Sequence, residues 1–224
     1  MNIIKKHHKF LIFIRVCITI YCIYIYSPTK NTIYTSIGDS YAEGINNYNV
    51  KSYGYTEYIR DYLNKKKILK SDYLYAKKDY MINDLYNDIL LNRDQIKMNL
   101  RKTNILTINI GLNDILLEKQ LNNNENYIKK IENDYKNLIK EIKKYCKGKI
   151  YIIGYVNFYP QESVEKSILD KYNNFCQQLS VEENIFYVDN KNIENDTYID
   201  KKEIIYPSQK GYEQIYKNFR KIYK

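Results

Sequence analysis

The stretch IYTSIGDSYAEG, Ile33–Gly44, decides how this chain is read. Ile33–Ile37 is a short apolar strand, and Gly38-Asp39-Ser40 ends it in a sharp turn. Downstream, Tyr55, Tyr58, Ile59, Tyr62 and Leu63 have helical spacing, Tyr73–Ala76 reads as a second strand, and Ile82–Leu91 as a helix. Asn104–Ile110 (NILTINI) is a β-branched strand. An amphipathic helix follows through Ile128, Ile131, Tyr135, Leu138, Ile139, Ile142 and Cys146, and Gly148 stops it. Ile150–Tyr155 and Ile185–Val188 are further strands. Helical faces run from Ile168 to Leu179 and from Tyr212 to Phe219. Leu121–Asn126 and Asn190–Lys202 read as loops. Strands alternate with helices throughout, and short apolar runs replace the alternation of a half-exposed sheet. That pattern predicts an α/β domain over residues 31–224, with a doubly wound, flavodoxin-like, five-stranded parallel sheet.

The 224 residues suffice for one such core without disulfides or metals. The composition leans to Lys, Asn, Ile and Tyr, with 27 Tyr and no Trp, as AT-rich coding produces. Net charge is +10, but residues 1–26 hold four basic residues and no acid, leaving 32 basic against 26 acidic residues beyond. No basic cluster with interleaved aromatics marks a nucleic-acid surface. The four cysteines lack metal-ligand spacing. Cys146 and Cys176 fall on apolar helix faces and read as buried free thiols. No cofactor or metal motif is present.

At the amino end, Lys5, Lys6 and Lys9 precede an apolar run of 17 residues, Phe10–Tyr26. Ser27, Pro28, Thr29 and Lys30 follow it without an A-x-A-like cleavage site. Residues 1–30 therefore read as a basic cytoplasmic tip and an uncleaved, single-pass transmembrane helix. Arg15 is close enough to the basic end to snorkel, and the positive flank places the domain on the extracytoplasmic side of the cell membrane.

In a doubly wound sheet, sites form beyond the carboxyl ends of the strands. The turns there are Gly38-Asp39-Ser40 and Gly111-Leu112-Asn113-Asp114; Tyr206-Pro207-Ser208 precedes the last helix. Taken alone, Gly-Asp-Ser reads equally as a strand-to-helix turn capped by Asp39 or Ser40. With its neighbours it resembles the first block of SGNH (GDSL-type) hydrolases. TINIGLNDIL (Thr107–Leu116) is similar to that family's Gly-x-Asn-Asp block, and EIIYPSQKGY (Glu203–Tyr212) to its last block, Asp-x-x-His-Pro followed by Gly-Tyr.

The resemblance implies that Ser40 is the nucleophile and Asp39 orders its turn. It also implies an oxyanion hole from the Ser40 N–H, the Asn113 amide and a backbone N–H near Ala76–Tyr80, matched at Asp79. Glu203 stands at the family's acid position and Tyr206 at its histidine position. The chain's two histidines, His7 and His8, lie in the basic tip. A serine hydroxyl needs a base, and tyrosine, with an ordinary pKa near 10, is a poor one at neutral pH. Two functions stay open: a cell-surface hydrolase of acyl or acetyl esters, impaired for want of a histidine; or an inactive relative that holds a small acyl ester, lipid or acylated glycan.

Overall fold

In the computed structural model of the chain, residues 12, 14–19, 31–46, 48–91, 94–120, 125–157, 159, 162–193 and 206–223 are described. Five strands, β1 (Thr32–Gly38), β2 (Leu69–Ala76), β3 (Ile105–Asn109), β4 (Lys149–Ile153) and β5 (Phe186–Val188), form one sheet in the order β2-β1-β3-β4-β5. Every neighbouring pair is parallel. This is the flavodoxin-like order, whose switch point lies between β1 and β3.

The connecting helices are α1 (Ser40–Glu43), α2 (Tyr55–Lys65), α3 (Ile82–Leu90), α4 (Asp94–Lys102), α5 (Leu112–Gln120), α6 (Glu125–Tyr145), α7 (Val164–Glu182) and α8 (Gln209–Ile222). Successive strand residues point to opposite faces, yet all five residues of β3 are buried, so both faces of the sheet are covered. In one layer α2 packs on α8; in the other α3, α4 and α5 pack on α6. Ile131, Tyr135, Leu138, Ile139 and Ile142 recur every three or four residues along α6 and are all buried. Ile37, Leu106, Ile108 and Ile152 fill the centre, each contributing about 1.5–3 kcal/mol by burial.

Two differences from the sequence reading have physical causes. Strand β2 begins at Leu69 rather than Tyr73: it is an edge strand whose Lys70 and Asp72 face water, and Ser71 on the other face interrupts the apolar half of the alternation. Helix α4 escaped the periodicity because few apolar residues, Ile96 and Leu100 chiefly, turn inward, while Met98 is exposed. Cys146 and Cys176 are buried free thiols, as expected. Most of the apolar run 10–26 lies outside the described residues; 12 and 14–19 are helical and exposed. Among the described residues no helix is long and apolar enough to cross a membrane.

Candidate active site

The turn after β1 is built by close approach. Gly38 has φ +149°, and a Cβ there would lie 1.9 Å from the Asn109 carbonyl oxygen of β3, so only glycine fits. The Asp39 N–H donates to that same carbonyl (2.9 Å), tying the turn to β3. Asp39 then caps α1: its Oδ1 accepts from the Tyr41 N–H at 3.2 Å. Its Oδ2 accepts from the Leu112 N–H (3.3 Å) and from the Tyr155 hydroxyl. One buried carboxylate thus locks the Ser40 turn to the start of α5 and to the segment after β4. Ser40 follows at once and is wholly buried.

The second turn is set at Gly111, whose φ of +114° and contact with Tyr172 exclude a side chain. It delivers Asn113 in the first turn of α5. The Asn113 side-chain amide donates to the carbonyls of Lys78 (2.9 Å) and Tyr80 (2.8 Å). Asp114 faces elsewhere: its Oδ2 accepts from the Ile82 N–H at 3.1 Å, a donor at the start of α3. The Ser40 hydroxyl donates to the Lys78 carbonyl at 2.7 Å. Ser40 Oγ and Asn113 Nδ2 therefore meet on one oxygen, which lies in the turn Lys77–Tyr80 after β2.

From the other side, Tyr206 brings its hydroxyl to 3.5 Å from Ser40 Oγ, the outer limit of a hydrogen bond. Its ring is edge-on to Tyr41, which is edge-on to Tyr155 in turn. Ser208, two residues on, caps α8 by accepting from the Gly211 N–H at 3.3 Å.

Burial governs the charges. It pushes Asp39 up to about 7 against the pull of its three donors, and Asp114 up to about 6. It also raises Tyr206 above its ordinary value of 10, and the contact with Ser40 only partly offsets this. Tyr206 is therefore a protonated phenol at neutral pH, able to donate a hydrogen bond to Ser40 but not to take its proton.

The fold thus brings Ser40, Asp39, Asn113 and Tyr206 together at the switch point. Asp79 is exposed, in the turn whose Lys78 carbonyl faces Ser40. Glu203 lies outside the described residues. Sequence reasoning missed Tyr155 and the Lys78 carbonyl. Tyr155 stands just past the carboxyl end of β4, where a polar side chain is a site candidate, and that was its one signal. A backbone carbonyl has none.

Helices on both faces of a parallel sheet, with a strand-end serine and asparagine converging at its switch point, define the SGNH hydrolase scaffold. The model of the GDSL-like Lipase/Acylhydrolase family matches residues 36–214. The chain belongs to that family. Among solved structures it is similar to a catalytic mutant of an acetylxylan esterase from Geobacillus stearothermophilus, at 18% identity and TM-score 0.68, covering 86% of this chain and 94% of that one. It is also similar to a lipase from a goat rumen metagenome, at 19% identity and TM-score 0.71, covering 85% and 96%. A search of curated protein sequences finds no match.

Proposed function

We propose that this chain is a membrane-anchored, extracytoplasmic ester hydrolase of SGNH type whose turnover is held low by the lack of a histidine base. One observation carries the reading: the Ser40 hydroxyl is met by the Lys78 carbonyl and by the protonated phenol of Tyr206. Neither accepts a proton from serine on the way to an alkoxide. Losing the histidine of a Ser-His-Asp machine lowers the rate by about 10⁴ to 10⁶, the oxyanion donors sustaining the remainder. The substrate is a small acyl or acetyl ester, on a lipid or a glycan. The acetylxylan esterase among the structural neighbours supports the glycan form. The apolar run behind Lys5, Lys6 and Lys9, with no A-x-A-like site after it, supports anchoring with the domain outside.

The test is the Tyr206→His substitution assayed on p-nitrophenyl acetate. A histidine there stands next to Ser40 Oγ, and a positioned general base contributes about 10²- to 10⁴-fold. The rate should rise about 100-fold, and the gain should vanish when Ser40→Ala is added. The second reading, a module that binds an acylated ligand without cleaving it, is favoured by the complete burial of Ser40. A flat Tyr206→His result would support it.

A further inference from the structure

The turn after β2 has a geometry that bears on how the site opens. The Tyr80 N–H donates to the Lys77 carbonyl at 3.1 Å, so Lys77–Tyr80 is a hydrogen-bonded β-turn with Lys78 and Asp79 at its centre. Asp79 is not among the described residues with positive φ. A hydrogen-bonded turn with neither central residue at positive φ is of type I. Its central carbonyl, that of Lys78, accepts from both Ser40 Oγ (2.7 Å) and Asn113 Nδ2 (2.9 Å). An oxygen held by nucleophile and amide together occupies the place a substrate oxygen must take. Ser40 is wholly buried beneath it.

We propose that the resting site is closed by its own backbone, and that the Lys78–Asp79 peptide flips to open it. The flip converts type I to type II, turning the central peptide by about 180°. It withdraws the Lys78 carbonyl and presents the Asp79 N–H in its place, so an acceptor becomes a second oxyanion donor. The ends of the turn stay fixed: Lys77 N–H on the Gly38 carbonyl (3.2 Å) and Tyr80 N–H on the Lys77 carbonyl. Asn113 keeps its bond to the Tyr80 carbonyl and regains a free N–H for the ligand. This inference rests on reading Ser40 and Asn113 as an ester site. Type II requires positive φ at Asp79, which is strained for residues with a side chain, least so for Asp and Asn, and free for glycine.

Phenylboronic acid binding to the full-length chain tests it without needing a base. A boron–oxygen bond forms to Ser40 Oγ, the serine proton leaves to water, and the boron becomes a tetrahedral anion whose hydroxyl enters the hole. Dissociation constants are measured by calorimetry for the native chain and for Asp79→Gly, Asp79→Asn, Asp79→Ala and Ser40→Ala. The flip requires Asp79→Gly to bind about tenfold more tightly, Asp79→Asn to match the native chain, Asp79→Ala to bind more weakly, and Ser40→Ala not to bind. Equal binding by all three Asp79 variants and the native chain overturns the flip while leaving the ester site intact. Equal tightening by Gly, Asn and Ala overturns it in favour of a charge effect of Asp79. Absence of any Ser40-dependent adduct overturns the site reading and the flip together.

Discussion

Replacing Tyr155 by Phe removes one hydroxyl from a buried position, and its cost can be worked from the contacts. The hydroxyl donates to Asp39 Oδ2 and accepts from the Leu112 N–H at 3.1 Å. Asp39 titrates near 7 in the folded chain, so at pH 8.5 it is a buried carboxylate relying on three donors. A hydrogen bond to a charged group contributes about 1.5–3 kcal/mol, so Tyr155→Phe should destabilise by about 2 kcal/mol at that pH. For a chain of this size 1 kcal/mol moves Tm by about 2–4 °C, giving a fall of about 4–8 °C. At pH 5 folded Asp39 is protonated, the bond joins neutral groups worth about 1 kcal/mol, and the fall should halve. The native chain carries the same linkage. Its folded Asp39 lies above the unfolded value near 3.9, so the stability from this group is complete below that value and lost as pH rises through 7. Thermal melts followed by circular dichroism at pH 5 and 8.5 read both effects. A loss under 1 °C, or one equal at the two pH values, would refute the claim that Tyr155 braces a charged Asp39.

Gly38→Ala sets a Cβ against the Asn109 carbonyl at a backbone conformation L-residues avoid, and should lower stability by at least about 3 kcal/mol in urea unfolding; a loss under 1 kcal/mol would contradict the close approach of β1 and β3. Protease added to intact cells should remove the domain if the apolar run anchors it outside; full protection would reverse the orientation.

Much of this architecture was written in the sequence because central strands have to be apolar. Ile33–Ile37 and the NILTINI run stand out because β1 and β3 are covered on both sides. Edge strand β2 was half legible, since Lys70 and Asp72 are free to face water. The two turns that carry Asp39, Ser40 and Asn113 were readable because they need Gly38 and Gly111, which leave a pattern in the chain; the roles of the three side chains came from the family resemblance. The state of the site was not readable. The Asn113 amide meets the Lys78 carbonyl, a backbone acceptor that no side chain in the chain announces. Tyr155 was hidden for a related reason: its place just past β4 is a weak signal among 27 tyrosines, and the tertiary contact with Asp39 is what singles it out.

We propose that Ser40 is placed as a nucleophile and lacks only its base, and the pH–rate profile of Tyr206→His on p-nitrophenyl acetate tests this claim most directly. The variant should show a Ser40-dependent rate that rises with an apparent pKa near 6.5, the ordinary value for histidine, while the native chain shows no Ser40-dependent limb at neutral pH. A native profile with its own Ser40-dependent rise near neutrality would contradict the claim, since it would mean that another group already takes the proton from Ser40.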